Sequence, residues 1–201
     1  MGFNADSRRK RACLLLWSGP VSDIKFRQHD FMSGVPEPED YSQKEVYAFF
    51  GLAAYSAQVL EKGFVNLVVT FKTVGLPITR ADFDMIFEAH DSRTLGQLLR
   101  AAREHHIPIP DETGKMFATA LEQRNYLNHD FFAEHAAHFM TESGRRIMIQ
   151  RLGDLIQLFK EADQHCEPIY KPLLERMGVS EDLLKKTAQE LIKRAEHKNS
   201  D

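Results

Sequence analysis

Residues 42–73 read SQKEVYAFFGLAAYSAQVLEKGFVNLVVTFKT, and the spacing of their apolar side chains decides the fold class. Val46, Phe50, Ala53, Ala57, Leu60, Phe64, Leu67 and Phe71 recur in alternating steps of four and three. That rhythm is one face of an α-helix. Leu52, Val65, Val68 and Val69 widen the stripe, which predicts a long helix buried on more than one side. A stripe of this kind is core packing rather than a cofactor box. Ser42 and Glu45 have capping-box spacing, in which hydroxyl and carboxylate take up free backbone N–H groups. Gly75 and Pro77 end the run.

Downstream the pattern repeats. Thr79 is predicted to cap a helix through about residue 88, and Ser92 or Thr94 opens another through 105. Pro108 and Pro110 force a loop, because neither ring fits a helix interior. Asp111 is expected to cap the next helix, which carries Phe117, Ala120, Leu121, Leu127 and Phe131. Two more are expected over 142–165 and 180–197, the last with Leu183, Leu184, Ala188, Leu191 and Ile192 on one face. No alternating strand of useful length occurs. The fold class is therefore all-α, a single-domain bundle of five or six helices over 42–168, with a C-terminal helical extension over 169–201 packing on it.

Upstream, residues 1–41 differ. Arg8, Arg9, Lys10 and Arg11 precede a short apolar run over 12–17. The run is too short for a secretory signal. It reads as a disordered basic leader, or as sequence ahead of a true start at Met32.

Composition narrows the function classes. The chain has 43% hydrophobic and 27% charged residues, as a globular protein does. No apolar run reaches the length of about 20 residues that a spanning helix requires, so no membrane partner is expected. With 26 basic and 29 acidic side chains the net charge is −3, which excludes a global nucleic-acid-binding field and leaves room only for a local one. Cys13 and Cys166 form no CxxC pair, against a zinc ribbon or a disulfide framework and in favour of a reducing cytoplasm. Phosphate-loop, dinucleotide, nucleophile-elbow and HExxH motifs are all missing. His135 and His138 have ligand spacing but no clear third ligand, so they read as surface histidines, and neither metal nor cofactor is expected.

The remaining chemistry lies in Leu121-Glu122-Gln123-Arg124-Asn125-Tyr126-Leu127-Asn128-His129-Asp130-Phe131-Phe132. On a helix turning about 100° per residue, Arg124 falls in the middle of the apolar face. A guanidinium there must be paired or must open onto a cleft or interface. Asn125 and His129, four apart, lie together at the edge of that face. Glu122 is spaced to orient them, and Asn128 lies beside His129 as a supporting polar group. A permanent cation, an amide and an imidazole around one groove suit acid–base work on a phosphodiester. A salt bridge from Arg124 to an acid on another helix accounts for the same spacing without catalysis.

The core Arg124-Asn125-x3-His129, with Leu121, Leu127 and Phe131-Phe132 around it, resembles the HEPN (higher eukaryotes and prokaryotes nucleotide-binding) superfamily. A long first helix and a late motif helix are similar too. Arg100-x4-His105 shares the bare spacing without the polar residue after Arg, and reads as an exposed helix end. The resemblance implies a metal-independent endoribonuclease, in which Arg and His of two protomers meet at a homodimer interface. His129 would then be general acid or base on the RNA 2′-hydroxyl. Arg124 would stabilise the phosphorane-like transition state, and Asn125 would position His129 or the phosphate. Products would carry 2′,3′-cyclic phosphate and 5′-hydroxyl ends. A bacterial toxin or phage-defence effector with an antitoxin or other protein partner fits that class. Phe131 stands where many such toxins have a Tyr that is modified for silencing, so that control is not expected. The rival reading is a catalytically inert helical module for dimerisation or protein binding, or one that binds nucleotide without cleavage.

Overall fold

The computed structural model describes residues 34–77 and 79–177, with isolated positions 180, 182, 186, 189 and 193 beyond. Eight helices occur among them: α1 (Gln43–Thr73), α2 (Arg80–Asp91), α3 (Leu95–Glu104), α4 (Asp111–His129), α5 (Phe131–Glu134), α6 (Ala136–Phe139), α7 (Glu142–Gln164) and α8 (Glu167–Arg176). No strand occurs among the described residues, so the chain is all-α. Helices α5 and α6 are single turns that sequence periodicity cannot register. The expected leader over 1–33 and the expected helix over 180–197, apart from the isolated positions above, lie outside the described residues.

The described residues group into two compact units. One comprises 34–61 and 108–165, which hold the first part of α1 with α4 to α7; the other comprises 62–77, 79–107 and 166–177, which hold the last part of α1 with α2, α3 and α8. The described segment from 166 thus groups with 62–107.

Within the first unit, the helix start differs in detail from a capping box. The Ser42 hydroxyl accepts from the Glu45 N–H at 3.3 Å, but the Glu45 carboxylate accepts from the Glu39 N–H at 3.1 Å. The Ser42 N–H goes instead to Asp40 at 2.8 Å, and hydrogen bonding by Ser42 holds the Asp40 carboxyl below its ordinary pKa. Residues 34–41, grouped with the leader in the sequence reading, are tied to α7. Lys160 donates to the Gly34 carbonyl at 2.9 Å, Arg145 donates to the Tyr41 carbonyl, and the Arg146 guanidinium lies 3.9 Å from the Tyr41 ring centre. Val46, Ala53, Ala57 and Leu60 of α1 are buried as the stripe predicts, and so are Met148, Leu152, Ile156 and Phe159 of α7.

In the second unit, every residue from 63 to 70 is buried, so the later part of α1 is enclosed all round. Asn66 and Thr70 are enclosed there without a hydrogen-bond partner for either side chain. Gly75, at φ +76, takes the left-handed turn that closes the helix. Thr79 and Thr94 head α2 and α3 with complete capping boxes, while Ser92 closes α2. His90 is buried and its tautomer is fixed. Nδ1–H donates to the Ile86 carbonyl at 2.7 Å, which leaves Nε2 to accept from the Lys72 ammonium at 3.1 Å. Burial pushes the pKa of this imidazole down, with Lys72 and Arg93 adding to the shift.

Candidate functional site

Helix α4 begins after the proline-punctuated loop. Pro110 occupies the N-cap position with no side-chain cap, so Asp111 is the first helical residue and not the cap expected of it. Asp111 and Glu112 in the first turn and His129 in the last suit the helix dipole. Thr113, Phe117, Ala120 and Leu127 are buried, and Arg124 lies between the last two on the same side.

Arg124 has a counter-charge. Its Nη2 lies 2.9 Å from Glu61 Oε1 of α1, and the two side chains keep only 20% and 18% of their exposure. The other terminal nitrogen donates to Asn125 Oδ1 at 3.4 Å. Arg124 and Asn125 are thus brought together, and Glu61 holds the fork from the far side. His129 is exposed on the last turn and forms no hydrogen bond with Asn125 among the described residues. Glu122 and Asn128 are also exposed. The acid on Arg124 is Glu61 of α1, which helical spacing within α4 cannot reveal. Arg100 pairs with Glu104 at 2.9 Å on an exposed surface, so Arg100-x4-His105 is the ordinary helix end that its sequence suggests.

A second polar chain was not apparent from sequence. The Tyr126 hydroxyl lies 3.1 Å from His135 Nε2, and His135 Nδ1 lies 3.0 Å from His138 Nδ1. Burial lowers the His135 pKa, helped by the neighbouring His138, and burial raises that of Tyr126, helped by Glu134. Arg151 stacks 5.5 Å from the Tyr126 ring centre and bonds Gln123. The only sequence signal was the three-residue spacing of the two histidines. Among the described residues no group of three or more His, Cys, Asp and Glu could hold a metal ion.

Around the end of α4 aromatic rings collect. Phe131 is fully buried, whereas Tyr47 and Phe132 keep 57% and 36% of their exposure. Phe132 lies 4.9 Å from Phe50, 5.9 Å from Tyr47 and 6.1 Å from Phe139, ring centre to ring centre.

The chain matches no protein-family model, no curated protein and no solved structure. Among the described residues no helix is long and apolar enough to cross a membrane.

Proposed function

We propose that this protein is a cytoplasmic, metal-independent endoribonuclease of HEPN type, working as a homodimer in a bacterial toxin or phage-defence system with an antitoxin or other protein partner. The observation that carries the reading is the Arg124 fork. One nitrogen is fixed by Glu61 and the other faces Asn125, just over a turn of α4 before the exposed His129. A guanidinium held in this way loses little freedom when a phosphate arrives. His129 takes the proton from the 2′-hydroxyl as the 2′-oxygen attacks phosphorus, or returns one to the departing 5′-oxygen. Arg124 faces the charge that grows on the phosphoryl oxygens, and Asn125 positions the phosphate or the imidazole.

The second reading, an inert helical module, draws on the same ion pair: Glu61 is sufficient reason for an arginine on an apolar face. An RNase assay in EDTA separates them, comparing wild type with His129→Ala and Arg124→Ala after a folding check. The expected result is cleavage giving 2′,3′-cyclic phosphate ends, reduced by about a hundredfold or more without His129. RNA left intact by every folded version would overturn the ribonuclease reading in favour of the module.

A further inference from the structure

Cations gathered in one place without a counter-ion need a reason, because their mutual repulsion counts against the fold. Lys72, His90, Arg93 and His105 are such a set, all within the unit that holds 62–107. Burial is the first cause of a lowered pKa at Lys72, His90 and His105, and neighbouring cations add to it. Arg93 acts on all three, Lys72 acts on both imidazoles, and His105 acts on His90. Each of the four therefore lies within electrostatic range of the other three.

Nearby acids do not balance them. Glu104 acts on Lys72 and His105, but it is exposed and bonded to Arg100 at 2.9 Å. Asp91, next to His90, pairs with Lys62. Among the described residues neither Lys72 nor Arg93 has a carboxylate partner. Lys72 and His90 stand in the last turns of α1 and α2, and His105 is the C-cap of α3. The partial negative charge of helix C-termini draws cations there, but it does not neutralise two full charges.

The donors are largely unspent. Lys72 gives one of its three N–H groups to His90 Nε2 at 3.1 Å, and Arg93 gives Nε–H to the Ala89 carbonyl at 3.1 Å. Two ammonium donors and both terminal guanidinium nitrogens are left over. The ammonium is also anchored, since His90 is only 2% exposed and is itself fixed by the Ile86 carbonyl at 2.7 Å. Lys72 and Arg93 are half-buried and His105 is exposed, so the set is open to solutes. Two permanent charges with free donors match a phosphate group, which carries close to two negative charges and several strong acceptor oxygens.

We propose that Lys72, Arg93 and His105, with Lys72 anchored by His90, form a binding site for a phosphate dianion, either free or carried as a small monoester. Lys72 and Arg93 supply the charge, and His105 adds a ring N–H. Arg124 and His129 belong to the other unit, and the phosphate site does not depend on the cleavage chemistry proposed for them. The test is an NMR titration of the nitrogen-15-labelled full chain with inorganic phosphate, with adenosine 5′-monophosphate, and with chloride at matched ionic strength. Saturable shifts are expected at the amides around Lys72, Arg93 and His105 with phosphate and not with chloride. Lys72→Gln and Arg93→Gln, each checked for a folded spectrum, should weaken binding by about tenfold or more, whereas Lys72→Arg should retain it. Tighter binding of the nucleotide than of phosphate assigns the monoester as the ligand; equal or weaker binding assigns the free ion. No saturable shift by about 10 mM phosphate, or equal binding by both glutamine variants, overturns the site. Should either variant unfold, the wild-type titration decides alone, and shifts confined to other regions overturn the site.

Discussion

The Arg124–Glu61 pair makes a prediction whose size follows from its burial. The atoms lie 2.9 Å apart, and each side chain retains about a fifth of its exposure, at 20% and 18%. An exposed pair contributes about 1 kcal/mol or less. Breaking a fully buried one by removing a single partner costs about 3–5 kcal/mol, because the remaining charge is stranded. A pair mostly withdrawn from water belongs between these limits, near 2 kcal/mol. Arg124→Met keeps most of the aliphatic stem and removes the charge, so it separates electrostatics from packing. For a chain of 201 residues a loss of that size lowers Tm by about 4–8 °C. Thermal and urea unfolding of wild type, Glu61→Gln, Arg124→Met and the double variant form a cycle with an expected coupling of about 1–2 kcal/mol. A coupling near zero, or an Arg124→Met variant as stable as wild type, would refute the claim that the pair holds α1 to α4 within this unit. Arg124→Lys adds the link to function. It preserves charge but not the fork, so retained stability with lost RNA cleavage would identify an arginine used for chemistry as well as structure.

Further perturbations test the packing and the pH response. A Cβ on Gly144, in the first turn of α7, would collide with the backbone of His138, so Gly144→Ala should cost about 3 kcal/mol. Gly51, mid-helix in α1 with nothing within 4 Å of its position, provides the contrast: Gly51→Ala should gain about 0.5–1 kcal/mol in the same unfolding assay. His90, His105 and His135 all have pKa values lowered by burial, so the unfolded chain binds protons more readily than the folded one. Stability is therefore full above the ordinary imidazole range, near pH 6.5, and falls as pH drops through it. Tm measured from pH 7.5 to 5.5 should decline, and His90→Gln should flatten the slope; an unchanged slope would show that His90 is not a source of the effect.

The legibility of the fold followed the range of the forces involved. Helix α1 could be read because its stripe runs for about seven turns, and its end could be read because Gly75 and Pro77 act locally. Thr79 and Thr94 were legible as caps for the same reason, since a hydroxyl and the N–H three residues on are all that a cap requires. The start and extent of α8 within the expected C-terminal extension were not resolved, since Pro168 and Pro172 interrupt helical periodicity. Yet Pro168 falls in the first turn, where no helical N–H is lost, and Pro172 is carried inside a helix of only ten residues.

The candidate site divides along the same line. Helical geometry placed Arg124 on an apolar face, and that placement demands either a counter-charge or an opening. It cannot say which, because Glu61 comes from another helix and pairing across sequence leaves no trace in the periodicity of α4. Likewise, the three-residue spacing of His135 and His138 was visible, but Tyr126 joins them only because the chain turns after His129 into two single-turn helices. Phe132 was read as part of a motif, whereas its exposure follows from Phe131 taking the buried position next to it. One ring anchors the turn and its neighbour is left partly in water against Phe50 and Tyr47.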